Sequence, residues 1–202
     1  MAFRIDNFIG NINKYGTLQT NKFEVEIPIP TFLREAASYP PPSDLLHMRA
    51  EKIRVPGLVL DNIETRRYGI GPNYKTATNV RFEPVNISFI ETNNAKIFEI
   101  FNDWIRVGTF DFSGTGGGVS APPSFLTEYK EKYIVDIMIK VYNNSGVNST
   151  NTTTTGTQPI KRIKLIEAFP ISIGDNDLSW GDNNTLYKMN ISFAYNYHQL
   201  LT

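Results

Sequence analysis

Few residues in this 202-residue chain are of types that do covalent or metal chemistry. There is no cysteine, which removes disulfides, thiolate nucleophiles and thiolate zinc sites. The two histidines, His47 and His198, lie far apart, one after a proline-rich stretch and one near the last residues. No HExxH motif sets two imidazoles on one helix face, so neither is assigned as a metal ligand or catalytic base. No GxSxG marks a nucleophile elbow. "GTGGG" (Gly114 to Gly118) lacks the Lys-Ser/Thr that completes a phosphate loop and reads as a flexible loop. Asp175, Asp177 and Asp182 lack the calcium-loop spacing with its distal glutamate, and turn formation accounts for them. "KRIK" (Lys161 to Lys164) splits its charges over two strand faces, unlike the aromatic-interleaved basic stripe of a nucleic-acid binder. Catalytic residues, cofactors and metal ligands are therefore expected to be none. A structural or binding role, not an enzyme, is what these side chains fit.

The composition sets the frame for that role. Hydrophobic residues make up 41% and charged residues 20%, as in a folded globular chain. Lysine plus arginine equals aspartate plus glutamate, 20 against 20, so no overall field favours nucleic acid or membrane. Weak mutual repulsion also permits self-association. No apolar run approaches the roughly 20 residues of a membrane helix. The start, "MAFRIDNFIG", carries Asp6 early and no long apolar run, so no secretory leader is expected.

The elements read as mostly β. "KFEVEI" alternates as a half-buried strand. "EKIRVPGLVLDNIETRRY" is extended with a bend at Pro56-Gly57, and Gly69 to Asn73 signals a turn before "NVRFEPVNISFIE" returns. "EYKEKYIVDIMIKVYNN" and "IKRIKLIEAFPISI" supply further long strands. One sizeable helix is expected in "TNNAKIFEIFNDWIRVG", with Ile97, Phe98, Phe101, Trp104 and Ile105 on its packed face. Thr92, Asn93 or Asn94 would cap its start and Gly108 would end it. "YKMNISFAYNYHQL" closes the chain as a strand with large residues at every second position from Tyr187 to Tyr197. The sum is an antiparallel β-sandwich or barrel with one packed α-helix, a single domain over 1–202. Loop insertions fall near 31–46, 109–126 and 143–159.

From about Phe23 to Tyr197 the order of these segments resembles the tail-tube proteins of contractile-tailed bacteriophages. "KFEVEIP" is followed by a strand with a mid-strand Pro-Gly, "KIRVPGLVLDNIETRRYGIG". "VNISFIETNNAKIFEIFNDWI" is similar to the family's strand, loop and helix, with Phe101-Asn102-Asp103-Trp104 as its signature. "IEAFPISIGDNDLSWGDNNTLYKMNISFAYNYHQ" matches the closing block through Pro170, Trp180, Asn184 and Tyr195 to Tyr197. The three loop insertions depart from the compact pattern, at a stability cost that grows slowly with loop length.

The resemblance implies a virion component, assembled in the host cytoplasm. Its subunits would form hexameric rings with joined sheets, stacked head-to-tail through an extended loop or hairpin. The expected partners are further copies, the tail sheath protein outside, baseplate tube-initiating proteins, and the tape measure protein and genomic DNA in the lumen; no membrane is involved. The stretch Asp61 to Thr78 is the stacking candidate, with Arg66, Arg67, Tyr68 and Tyr74 as anchors. Asn190, Ser192 and Asn196 are lumen candidates, although the alternation fits bulk solvent equally. The large face of the same strand is expected to pack on Phe98, Phe101 and Trp104. A tube-initiator, baseplate or terminator protein shares the fold, and a monomeric ligand-binding β-sandwich also fits the residues.

Overall fold

The computed structural model describes residues 20–35, 49–66, 71–111, 126–142, 159–176, 178–181 and 185–201, with positions 5, 9, 10, 12, 14, 18, 46, 47 and 69. The strands are β1 (Phe23–Glu26), β2 (Ala50–Ile53), β3 (Val59–Thr65), β4 (Tyr74–Arg81), β5 (Val85–Ile90), β6 (Phe110–Asp111), β7 (Leu126–Thr127), β8 (Val135–Tyr142), β9 (Pro159–Ile173), β10 (Lys188–Ala194) and β11 (Tyr197–Leu201). Three helices are described, α1 (Thr31–Glu35), α2 (Lys96–Asp103) and α3 (Lys130–Tyr133). A wide π-type segment, Trp104–Thr109, continues α2. The insertion near 31–46 thus begins as α1; most of the insertions near 109–126 and 143–159 lies outside the described residues, as does the Gly114 to Gly118 loop.

The main sheet runs β1-β8-β9-β10-β5-β2, with β11 also on β9. It consists of two antiparallel arrays that share β9. The first half of β9 lies between β8 and β11, with Leu165 opposite both Ile137 and His198. Its second half turns to β10, with Phe169 opposite Ala194 and Ile173 opposite Ile191. The hinge is Glu167, a non-glycine residue at φ 55. It shifts the inward phase from Ile163 and Leu165 to Ala168 and Pro170. One residue in the left-handed region thus turns a strand of continuous hydrogen bonding from one array into the other.

The closing segment makes the same crossing, and here the structure corrects the sequence reading. The alternation from Tyr187 to Tyr197 is two strands, not one. β10 ends at Ala194, and the Asn196 N–H donates to the Ile166 carbonyl at 3.0 Å before β11 begins. Met189, Ile191, Phe193 and Tyr195 are buried, while Tyr187 and Tyr197 at the ends are exposed.

The core lies on the inner faces of both arrays and is closed by α2. Ile97, Ile100, Phe101 and Trp104 are buried, an i, i+3, i+4, i+7 stripe. Phe101 meets Phe89 and Phe193 at ring separations of 5.3 and 5.8 Å, and Trp104 stacks on Phe101 at 6.1 Å. Phe98, expected on this face, is 43% exposed. The reason is geometric: it stands about 100° round the helix from the neighbouring stripe residue Ile97. Each fully buried side chain of this kind stabilises the fold by about 1.5–3 kcal/mol.

The start of α2 is held by an acidic cap. The Glu91 carboxylate accepts the backbone N–H groups of Thr92, Ile97 and Phe98 at 2.8, 3.0 and 2.9 Å. The Thr92 hydroxyl oxygen accepts the Lys96 N–H at 3.0 Å. Ala95, at φ 49, makes the sharp entry that brings these groups together. Thr92 therefore serves at the cap as expected, and the helix path continues through Gly108 instead of ending there.

Candidate functional site

With no catalytic constellation expected, the site is sought in surfaces that demand a partner. The first is the outer face of the array β9-β10-β5-β2. The alternation that buries Val85, Ile87, Phe89 and Met189, Ile191, Phe193 turns small polar groups outward. Two cross-strand rows result. Asn86, Ser192 and Ser172 stand side by side, with the Ser192 hydroxyl donating to the Asn86 side-chain oxygen. Lys52, Ser88 and Asn190 form the next row, where the Ser88 hydroxyl donates to Asn190 at 2.5 Å. The Gly174 N–H donates to the Asn190 carbonyl at 2.7 Å, and a Cβ at this glycine would meet that oxygen at 3.1 Å. Charge on this face comes from Lys52 within the second row and from the Lys188–Glu51 pair at 2.6 Å beside it. The rest of the face is a ladder of hydroxyls and amides, in which Ser192 pairs with Asn86 and Ser88 with Asn190.

Both edges of this array are open among the described residues. Among the described residues, β2 pairs only with β5, and residues 169–173 of β9 pair only with β10. Beside the β9 edge a groove is lined by Asn102, Ile105, Arg106, Ile171, Ser172 and Ile173. Unpaired edges offer backbone donors and acceptors to another chain.

The second surface is the hairpin β3–β4, a sheet of its own. All eight residues of β4 are exposed. The register puts Leu60 opposite Val80 on one face, and Ile63 opposite Thr76 beside Tyr74 on the other. All four of these large apolar side chains are exposed. Ion pairs stiffen it, Arg81–Asp61 at 2.8 Å and Lys75–Glu64 at 3.1 Å. The Glu64 carboxyl is held below its ordinary range by Lys75 first and then by the Asn73 amide. At the tip, the Arg66 Nε donates to Asn73 at 2.8 Å, and Gly69 and Gly71 adopt φ 72 and 118, which side chains disfavour. A lone two-stranded hairpin is marginal in water, so apolar groups on both faces point to cover from outside. Of the anchors expected here, Arg66 and Tyr74 are exposed on the hairpin, and Arg67 and Tyr68 lie outside the described residues.

The three lumen candidates do not stay together. Asn190 and Ser192 share the polar rows, whereas Asn196 sits at the β10–β11 corner. Its side-chain amide donates to the Glu167 carboxylate, which also binds Lys130. Asn196 is thus part of the hinge that turns β9, not of the flat polar face.

The structure also assembles groups that spacing did not reveal. Glu24, Glu26 and His47 bring potential ligand atoms within 4.8 Å of one another. Lys140 already pairs with Glu26 and lies 3.8 Å from Glu24, and the Tyr142 hydroxyl donates to Glu24 at 2.5 Å. The lysine offsets one of the two carboxylate charges of this cluster. His198 packs edge-on against Phe82 at 5.4 Å. In the loop between β9 and β10, Leu178 and Trp180 are almost wholly exposed.

Comparison with known proteins places this geometry. A model of phage tail tube proteins matches residues 18–201. No curated protein is detectably similar in sequence. Among solved structures, the fold matches a chain of the anti-feeding prophage baseplate, determined with six-fold symmetry, at a TM-score of 0.62 and 14% identity, covering 93% of this chain and 97% of that one. It matches a chain from the tube-terminating cap of the same prophage at a TM-score of 0.56 and 14% identity, with 92% and 91% covered. A chain from the sheath–tube complex of an extracellular contractile injection system matches at 0.51 and 14% identity, with 99% of each chain covered. At such identities these three likenesses speak for the fold, and the family match spans nearly the whole chain. The chain belongs to the phage tail tube protein family, and its role is structural, not enzymatic.

Proposed function

We propose that this chain is the repeating subunit of the inner tube of a contractile phage tail. Six copies close into a ring, rings stack, and the polar face of β9-β10-β5-β2 lines the bore. The observation that carries this reading is the pairing of that polar face with two open edges on one array. The β2 edge of one copy meets the β9 edge of the next, a heterologous contact that closes by rotation. The apolar groove at Ile105, Ile171 and Ile173 lies at that seam, as a permanent interface requires.

A bore of hydroxyls and amides suits passage. Each lysine–phosphate contact would release counterions and add salt-dependent attraction that slows DNA. Among the groups there, Asn86 pairs with Ser192 and Ser88 with Asn190 across strands. The sheath protein wraps the outer surface, baseplate proteins start the tube, and the tape measure protein and then genomic DNA occupy the lumen. The virion is its place of action.

Electron microscopy of the concentrated protein, alone and with a baseplate nucleus, tests this. Six-fold rings or tubes are expected; a monodisperse monomer under both conditions overturns it. A second reading, a terminator or initiator that forms a single ring, is favoured by the likeness to a terminating cap and a baseplate chain. Counting copies per particle decides: many stacked rings for the tube, one ring for the end protein.

A further inference from the structure

One cluster of donor side chains lies outside the surfaces assigned so far. β1 stands at the edge of the array β1-β8-β9-β11, with β8 as its partner. Val25 points inward and is fully buried, so Glu24 and Glu26 share the outer face of the strand. His47 reaches the same place from a helical turn far along the chain. Leu46 beside it is fully buried and anchors that turn in the core. One donor atom from each of Glu24, Glu26 and His47 lies within 4.8 Å of the other two. Donors about 2.1 Å from a zinc ion stand roughly 3.4 Å apart at the corners of a tetrahedron, so the set closes on one ion with side-chain shifts on the order of 1 Å.

The neighbours of these groups suit a metal set. The Tyr142 hydroxyl donates to Oε2 of Glu24 at 2.5 Å, and Lys140 binds Oε1 of Glu26. Each carboxylate thus has one oxygen oriented by an outer partner and a second oxygen for an ion. The three residues are half-buried. Their two carboxylates outweigh Lys140 by one negative charge, and Arg162, the next cation of this cross-strand row, stands one strand further, opposite Lys140 on β9. We infer that Glu24, Glu26 and His47 form a binding site for a divalent first-row transition ion, with zinc as the best-matched case and water in the fourth position. Lys140 is its built-in competitor: the ammonium lies near both carboxylates on a flexible stem and moves out when the ion enters. An imidazole with two carboxylates suits zinc better than calcium or magnesium, which select oxygen shells of about six or more ligands. The ion staples the turn at Leu46 and His47 to the edge of β1, and so joins the end of the insertion near 31–46 to the sheet. No residue of this set belongs to the polar face or the ring seam, so the inference stands or falls separately from the tube.

Untagged protein, stripped with EDTA and dialysed, is titrated with zinc chloride by calorimetry and followed by thermal melt. One ion per chain is expected, with a melting temperature raised by zinc but by neither magnesium nor calcium at the same concentration. His47→Ala should bind more weakly by about tenfold or more, since even outer partners of a metal site are worth that much. Lys140→Met, which removes the competitor, should bind more tightly than the wild type. His198→Gln controls for the other histidine and should bind as the wild type does. No binding, or equal binding by His47→Ala, overturns the site. Weaker binding by Lys140→Met overturns the competition on which the site rests. Should His47→Ala fail to fold, X-ray absorption of zinc-loaded His198→Gln protein decides without it, because His47 is then the only imidazole in the chain. An imidazole in the zinc shell bears the assignment out, and a shell of oxygens alone overturns it.

Discussion

Trp104 shows how one side chain ties three elements. Its ring is fully buried against Phe101 and Phe193, and its Nε1–H donates to the Tyr133 carbonyl of α3 at 2.8 Å. Trp104→Ala removes the largest core side chain and is expected to cost about 3–5 kcal/mol in urea unfolding. Trp104→Phe keeps much of the volume but leaves that carbonyl without its donor, and should cost less. Tyr142 carries a pH signature of the β1–β8 edge. Burial, then donation to the Glu24 carboxylate, pushes its phenol up to about 12. The raised group favours the folded state fully below the ordinary tyrosine value of about 10. That contribution is lost as pH rises through about 12. Alkaline titration of stability should therefore fall across that window in the wild type and more shallowly in Tyr142→Phe. Some slope remains in the variant, because burial and the Glu83 carboxylate also raise Tyr195. Equal slopes for the two proteins would remove this assignment.

At the scale of elements, stability and assembly separate. The core strands are legible in sequence wherever inward positions alternate, as at Val85, Ile87, Phe89 and Met189, Ile191, Phe193. They become illegible where a single backbone angle changes the phase. Nothing in "KLIEAFP" announces that Glu167 sits at φ 55 and hands β9 from one array to the other. The contact of Asn196 with Glu167 is illegible for the same reason, since it depends on that hinge. Phe98 is illegible because two adjacent stripes on α2 are both apolar, and packing against β5 and β10 selects Ile97, Ile100, Phe101 and Trp104. The exposed Trp180 has a weak sequence signal, a lone indole among turn-forming residues. The hairpin β3–β4 gives the cleanest test of the separation. Leu60 and Ile63 are 55% and 54% exposed, so Leu60→Ser with Ile63→Ser should change the folding free energy of the single subunit by no more than about 0.5 kcal/mol per site. The same double variant is expected to lose stacked tubes in electron micrographs. A large drop in melting temperature would instead place the hairpin within the subunit's own packing.

For the whole molecule, the open array poses the central physical problem, because a flat apolar-backed sheet with free edges invites uncontrolled pairing. Two features restrict the partner. The register of β9 jumps from Ser172 opposite Ser192 to Pro170 opposite Phe193, leaving Ile171 without a partner on β10. On β2, Glu51 falls at a similar shift and is tied to Lys188. Irregular edges twist away from indiscriminate pairing and accept only a complementary one. Ile171 is 46% exposed on the edge where we place the ring seam. Ile171→Lys puts a charge on that edge at a position the ladder to β10 does not use. The variant should fold with near-wild-type stability, within about 0.5 kcal/mol by thermal melt. In sedimentation velocity it should remain a monomer at concentrations where the wild type forms rings, because a lysine desolvated in a partly apolar seam has no gain to offset its hydration. Added salt should not restore assembly, since the loss is one of desolvation and not of long-range repulsion. Rings of wild-type yield from this variant would mean that the β9 edge faces solvent in the assembled particle and that the sheets close through another pair of strands.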